Sequence, residues 1–224
     1  MSTSSPPGNI KRAPSDTTQT KRKISVFMYM TLDGIAEFPD YPDDSSQEDP
    51  MWESRMSSID TLILGRRSYE AWFAFWPRQK DDPSSNEWLK NFSRFCDRCT
   101  KVVFSKTLRE AKWQNSVVAS GDVREEVARL KAIPGRNIAL GGGPRLLQSF
   151  LDCDLADEIQ LEVFPSIVGS GKPMFRIAGN PDHDSDHVPV GTQGRHDFKL
   201  LEVKPLTNGT VFLRYERSSA GARP

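Results

Sequence analysis

The sequence predicts a single three-layer α/β domain: a mixed, mostly parallel sheet with helices on both faces and an antiparallel C-terminal edge. Three observations predict it. Short apolar runs alternate with segments of helical spacing from about residue 24 to 164, the order that builds parallel sheets through crossover helices. The last two strand-like segments flank Asn208-Gly209, a hairpin signal. The chain has 224 residues, 37% hydrophobic and 27% charged, which suits one core rather than several.

Residues 1–22 are rich in Ser, Thr, Pro, Lys and Arg and offer almost nothing to bury, so they read as a disordered tail. The domain is expected over 23–217, with a second short tail at 218–224. Lys23 to Met30 is a buried strand, stopped by the Asp33-Gly34 turn. An acidic, proline-bearing loop follows, then a short helix over Met51 to Ser58. Thr61 to Leu64 is the second strand. Arg66 to Trp76 has helical spacing and is expected to stop at Pro77. Ser85 to Phe95 is another helix; Lys101 to Phe104 and Ser116 to Ala119 are strands. Asp122 with Glu125 three residues on has capping-box spacing for a helix through Ile133, ended by Pro134-Gly135. Asn137 to Leu140 is a strand and Pro144 to Leu151 a helix. Glu158 to Phe164 alternates as a further strand. An irregular region then runs from Gly169 to about His196, and Phe198 to Val203 with Val211 to Tyr215 close the chain as a hairpin.

Lys plus Arg equals Asp plus Glu, 30 against 30, so no global charge draws the chain to nucleic acid or an anionic membrane. No run approaches the ~18 apolar residues of a membrane span, and the N-terminus lacks the apolar segment of a secretory signal. Three cysteines make no disulfide framework and point to a reducing, cytoplasmic setting. Cys96 and Cys99 form C-x-x-C at the end of a helical run, the wrong end for thiolate activation, and read as incidental thiols. His183 and His187 sit in loop-like sequence, and no metal site is expected.

Ligands of open α/β sheets bind beyond the carboxyl ends of strands. Three such ends carry phosphate chemistry here. Gly65-Arg66-Arg67-Ser68 offers a tight turn, free helix-start N–H groups and two guanidiniums. Ser105-Lys106-Thr107 is a polar, basic cluster after a strand. Gly141-Gly142-Gly143-Pro144-Arg145 lets a pyrophosphate approach a helix start closely, with proline suited to the first turn. Together they fit a dinucleotide better than a single phosphate. Neither a Walker loop nor G-x-G-x-x-G is present, because Ser166 and Pro173 spoil the one and no strand-to-helix turn carries the other.

In this order Leu62-Ile63-Leu64-Gly65-Arg66-Arg67-Ser68-Tyr69-Glu70, Val103-Phe104-Ser105-Lys106-Thr107-Leu108 and Ile138-Ala139-Leu140-Gly141-Gly142-Gly143-Pro144-Arg145-Leu146 form a known set. With Leu32-Asp33-Gly34 and Gly169-Ser170-Gly171-Lys172-Pro173-Met174-Phe175, it resembles the reductase domain of bacterial riboflavin biosynthesis, in the dihydrofolate-reductase-like group. The resemblance spans about residues 23 to 217. It implies a roughly eight-stranded sheet, often a homodimer, NADPH as hydride donor, and a small-molecule substrate. On that resemblance Gly65, Arg66, Arg67 and Ser68 hold the adenosine-side phosphates, and Ser105 and Lys106 border the adenine ribose. Gly141, Gly142, Gly143, Pro144, Arg145 and Leu146 cradle the pyrophosphate. Met30 with the loop Asp33, Gly34, Ile35 and Ala36 lines the nicotinamide.

The chain also departs from that family. No H-x-E…P-C-x-x-C deaminase signature precedes the reductase region. The Asp-Pro-x-Leu segment that handles the ribose-phosphate of the riboflavin intermediate is replaced by Ala71-Trp72-Phe73-Ala74-Phe75-Trp76-Pro77. Substrate candidates are therefore taken from chemistry: Asp33 and Glu53 as proton donors, Trp52 to stack on a planar heterocycle. The expected function is an NADPH-dependent reductase of a small heterocycle. The alternative is a non-catalytic nucleotide-binding or partner-binding module on the same fold.

Overall fold

The computed structural model describes residues 21–37, 52–175, 196–206 and 209–218. Along the chain run β1 (Ile24–Thr31), β2 (Ile35–Glu37), α1 (Trp52–Ser57), β3 (Ile59–Gly65), α2 (Arg66–Gln79) and α3 (Glu87–Arg98). There follow β4 (Thr100–Phe104), β5 (Ser116–Ala119), α4 (Val123–Ala132), β6 (Asn137–Leu140), α5 (Pro144–Asp152) and β7 (Glu158–Phe164). The short β8 (Lys172–Pro173) and the hairpin β9 (Phe198–Pro205) and β10 (Val211–Arg217) complete it.

Eight strands form one sheet in the order β5-β4-β3-β6-β1-β7-β10-β9. From β5 to β7 every neighbour is parallel, while β10 is antiparallel to both β7 and β9. The expected class holds, including the antiparallel edge. Strands β2 and β8 pair apart from the main sheet and were not foreseen, being too short to show a period.

The core lies on both faces of the sheet because successive strand residues point to opposite sides. On one face Val26, Ile63, Val102, Ile138 and Leu140 pack with Val127 of α4 and Leu147, Phe150 and Leu151 of α5. On the other, Leu62, Leu64, Val103 and Ala139 meet Tyr69 of α2 and Phe92, Phe95 and Cys96 of α3. A fully buried side chain such as Phe150 or Leu147 contributes on the order of 1.5–3 kcal/mol.

Three local expectations change. Helix α2 does not stop at Pro77 but runs on to Gln79. Carbonyls near the proline find other donors: the Ser93 hydroxyl donates to Trp76 O at 2.8 Å, and Arg78 Nε to Ala74 O at 3.1 Å. Arg22, read as the last residue of the tail, is 6% exposed and belongs to the domain. Its guanidinium donates to Asp60, to Thr61 Oγ1 at 2.7 Å and to Leu130 O at 2.9 Å. Strand β7, whose alternation implies a wet polar face, instead buries Glu158, Gln160 and Glu162 at 4%, 6% and 4% exposure.

Cys96 lies inside α3 and Cys99 caps its C-terminus, both buried. Burial pushes the Cys99 thiol up to about 11 and Cys96 well above its ordinary value, so both are unreactive. His183, His187, Asn208 and the tail residues 1–20 and 219–224 lie outside the described residues. Among those described, no helix is long and apolar enough to cross a membrane.

Candidate cofactor site at the carboxyl edge

Strands β4, β3, β6 and β1 are consecutive neighbours in the sheet and run the same way. Their carboxyl ends therefore place Ser105-Lys106, Gly65 to Ser68, Gly141 to Leu146 and Asp33 to Ala36 in one row. Three inter-strand steps span about 14 Å, the scale of an extended dinucleotide. The chain leaving β3 enters α2 on one face, while the chain leaving β6 enters α5 on the other. That divergence opens a crevice between adjacent strands, the topological switch point at which such sheets hold ligands.

The two helices that start there differ from their neighbours. Asn86 caps α3 by accepting from Leu89 N at 2.9 Å, and Asp122 caps α4 by accepting from Arg124 N at 2.8 Å. Gly65 precedes α2 and Gly143 precedes α5 at the N-cap position, and neither helix has a side-chain cap. Their first N–H groups and the positive ends of two helix dipoles face the same crevice. Pro144 occupies the first turn of α5, where its missing N–H costs nothing.

The glycines of these turns serve packing rather than unusual backbone angles. A Cβ on Gly142 would lie 2.7 Å from Leu146 Cδ2 and 3.1 Å from Leu146 Cβ. One on Gly65 would approach the same Leu146 methyl at 3.9 Å, so both loops close on Leu146. A Cβ on Gly141 would meet Leu64 and the Trp72 ring, each at 3.5 Å. Gly143 has nothing within 4 Å of its would-be Cβ, and its φ of −71° suits any residue. The open space lies in front of α5's first turn.

Basic residues lie along the row. Arg67, Lys106 and Arg145 are exposed, and Arg66 pairs with Glu70 at 3.0 Å across one turn of α2. Ser105 Oγ accepts from Thr107 N at 3.1 Å and Leu108 N at 2.9 Å, shaping the turn that presents Lys106. Ser68 and Gly65 are half-buried beside them.

At the β1 end, Gly34 has a φ of +78°, which favours glycine, and its carbonyl accepts from Met174 N at 2.7 Å. Ile35 is buried, and Met30 and Ala36 pack on the core cluster of the α4/α5 face. Asp33 acts as a tie between loops. Its carboxylate accepts from Thr31 Oγ1, from Gly169 N at 2.8 Å and from Val168 N at 3.3 Å. The Thr31 hydroxyl, then the Gly169 N–H, hold its carboxyl below the usual range. Such a group stays ionised and is poorly suited to donate a proton.

Glu53 is not brought to this edge. Helix α1 has six residues and rises about 9 Å, and it ends where β3 begins, so it covers only the lower part of the sheet. Glu53 lines a cavity with Asp60, Cys99 and Arg136, all at the amino ends of strands. The Trp52 side chain lies outside the described residues. Trp72, which the sequence offers only as a helix-face aromatic, is the site neighbour that pattern reading missed. Its position six residues after Arg66 puts it about 1.7 turns below the mouth.

Residues 22–212 match the family model described as the RibD C-terminal domain. The chain belongs to that family. It is 29% identical over 198 residues to YyaP of Bacillus subtilis strain 168, an uncharacterized protein, covering 87% of this chain and 95% of YyaP. It is 28% identical to YwjB of the same organism, also uncharacterized, covering 71% and 86%. Among solved structures, a riboflavin biosynthesis protein of Shewanella sp. PV-4 superposes with a TM-score of 0.62 at 19% identity, over 88% of this chain and 99% of that one. RibD of Acinetobacter baumannii gives 0.55 at 17% identity, over 88% of this chain and 58% of that one. Dihydrofolate reductase of Enterococcus faecalis, complexed with NADP(H), gives 0.56 at 11% identity, over 89% and 98%. The architecture is that of the dihydrofolate-reductase-like fold.

Proposed function

We propose that this RibD C-terminal-domain protein is an NADPH-dependent reductase of a small heterocyclic compound, acting in the cytoplasm as a homodimer. The observation that carries the reading is the row of loops at β4, β3, β6 and β1, with two uncapped helix starts meeting at the switch point. The uncapped N–H groups of α2 and α5 fit a pyrophosphate. Arg67 and Lys106 supply the cations that a 2′-phosphate needs. Met30 and the Asp33 to Ala36 loop border the place for the nicotinamide.

When bound, NADPH supplies the hydride, and the chain's own residues hold and orient it. Leu146 fixes the spacing of the Gly65 and Gly142 loops. The Asp33 tie to Gly169 sets the β1 loop against the segment after β7. With Asp33 ionised and Glu53 elsewhere, a bound water can serve as the proton source for the substrate.

The test is a titration with NADPH and NADH, following tryptophan fluorescence, in which Trp72 next to Gly141 reports the site. Saturable quenching, tighter for NADPH than for NADH, is expected. No response to either nucleotide at millimolar concentration refutes the proposal. The ionised state of Asp33 and the placement of Glu53 at the other end of the strands favour a second reading, a nucleotide-binding module without catalysis. Rescue of a riboflavin auxotroph lacking its 5-amino-6-(5-phosphoribosylamino)uracil reductase would reject that reading. Nucleotide binding without turnover of that compound or of dihydrofolate would support it.

A further inference from the structure

A cavity of about 370 Å³ opens at the amino ends of β3, β4 and β6, between α1 and α3. One stripe of α3 walls it: Asn91, Arg94, Phe95 and Arg98 stand at i, i+3, i+4 and i+7. Arg136, from the turn before β6, lines it with them. Phe95 and Cys99, 6% and 3% exposed, form the floor, and Met56 of α1 adds an apolar wall. The length of β3, Ile59 to Gly65, separates this cavity from the cofactor row by roughly 20 Å.

The backbone that carries Arg136 is fixed from two sides. Arg136 N donates to Asp60 Oδ2 at 2.7 Å, and Arg136 O accepts from Arg22 Nε at 2.5 Å. Gly135 admits this approach, since a Cβ there would lie 2.6 Å from Asp60 Oδ2. Arg94 is steadied by Asn91, whose Oδ1 accepts from it at 3.0 Å. Among the described residues, however, the guanidiniums of Arg98 and Arg136 meet no hydrogen-bond or ion-pair partner. Asp60 is neutralised by Arg22, so the three arginines of the lining face Glu53 alone and leave an excess of two positive charges. The last carbonyls of α3, which would repel an anion, are occupied from behind. Lys101, fully buried, donates from Nζ to Cys96 O at 2.6 Å and Cys99 O at 2.9 Å. Burial lifts the Cys99 thiol to about 11, and Lys101, Arg136 and Arg98 are the cations that oppose it, so all three converge on this floor.

We propose that this cavity binds a small phosphate monoester, away from the cofactor edge. Arg98 and Arg136 grip the phosphate with Arg94 beside them, and Phe95 with Met56 takes the organic part. A phosphate monoester carries a charge of about −2, which matches the excess. Guanidiniums suit its oxygens because their planar forks donate in pairs. Arg94 and Arg98, like charges one helical turn apart, repel each other until an anion shields them.

Phenyl phosphate is the probe, followed by NMR of carbon-13-labelled methionine methyls on the full chain without nucleotide. The salt is held at about 0.15 M, where attraction to an open charged surface is screened beyond ~8 Å. The Met56 methyl, assigned by its loss in Met56→Leu, should shift saturably in the millimolar range or tighter. Benzoate, with a single charge, should bind at least tenfold more weakly, and phenol not at all. Arg98→Met and Arg136→Met, both at exposed positions, should fold and each weaken phenyl phosphate at least tenfold. If either does not fold, Arg94→Met takes its place under the same threshold. Arg67→Ala, at the cofactor edge, should leave the Met56 titration unchanged. Absence of a saturable Met56 shift, equal binding of phenol, affinity indifferent to the arginine variants, or a shift that Arg67→Ala abolishes each overturns the proposal. The outcome is read at the far end of the strands and without NADPH, so it stands apart from success or failure of the reductase assignment.

Discussion

Replacing Gly143 by alanine separates the folding role of the glycine loop from its ligand role. The added methyl meets nothing within 4 Å, and φ of −71° with ψ of 174° is extended backbone open to any residue. Stability should therefore hold or rise by up to about 1 kcal/mol, through lost freedom of the unfolded chain. For a domain of this size that is a Tm change of roughly 0 to +4 °C. A pyrophosphate seated on the α5 start must approach this backbone to hydrogen-bond distance, and the methyl stands in its way. Losing about two charge-assisted hydrogen bonds at ~1.5 kcal/mol each gives roughly 3 kcal/mol, or about a hundredfold in Kd. Gly142→Ala is the contrasting control. Its Cβ would lie 2.7 Å from Leu146 Cδ2 and 3.1 Å from Leu146 Cβ, so overpacking should cost about 1–3 kcal/mol and lower Tm. Scanning calorimetry and NADPH titration on both variants read the two effects. Wild-type NADPH affinity in a folded Gly143→Ala protein would refute the placement of phosphate at α5.

Arg67→Ala and Lys106→Ala, both at exposed positions, should each cut the NADPH-over-NADH preference about tenfold, as measured by paired titrations, while Tm stays within about 1 °C. Asp97→Ala should destabilise by about 3 kcal/mol in denaturant unfolding, because it strands Lys80 and the Trp113 indole N–H, which bonds Asp97 at 2.7 Å. Acid should unfold the protein through carboxyls held low in the folded state, Asp97, Glu158 and Asp33 among them. Burial raises Asp97 and Glu158, but Lys80 with Trp113, and Arg214 with Lys23, more than offset it; Asp33 is lowered by Thr31 and Gly169. A depressed folded pKa stabilises fully above the unfolded value and is lost as pH falls through the folded one. Tm should thus be flat from about pH 7 to 5 and drop below about pH 4, the ordinary carboxylate range.

The sequence made the parallel half of the sheet legible because its strands are apolar runs with clear stops. Strands β5, β6 and β7 begin and end where the pattern says, and Asp122 and Pro144 open their helices as their chemistry requires. What escaped was tertiary. Pro77 reads as a stop only until α3 supplies Ser93 to the Trp76 carbonyl. The polar face of β7 reads as wet until ion pairs from Lys23 and Arg214 bury it. At the site, the three glycine and basic turns were visible, and strand order set them side by side. The fate of Glu53 depended on the length and direction of α1, and that of Asp33 on a loop 135 residues away, which no local pattern encodes.

The most direct measurement is a crystal structure with NADP bound. The account predicts the pyrophosphate at the starts of α2 and α5, the adenosine toward Lys106 and the nicotinamide beside Met30. A nucleotide seated anywhere but the β4-β3-β6-β1 edge, in a crystal that leaves that edge open, would contradict it.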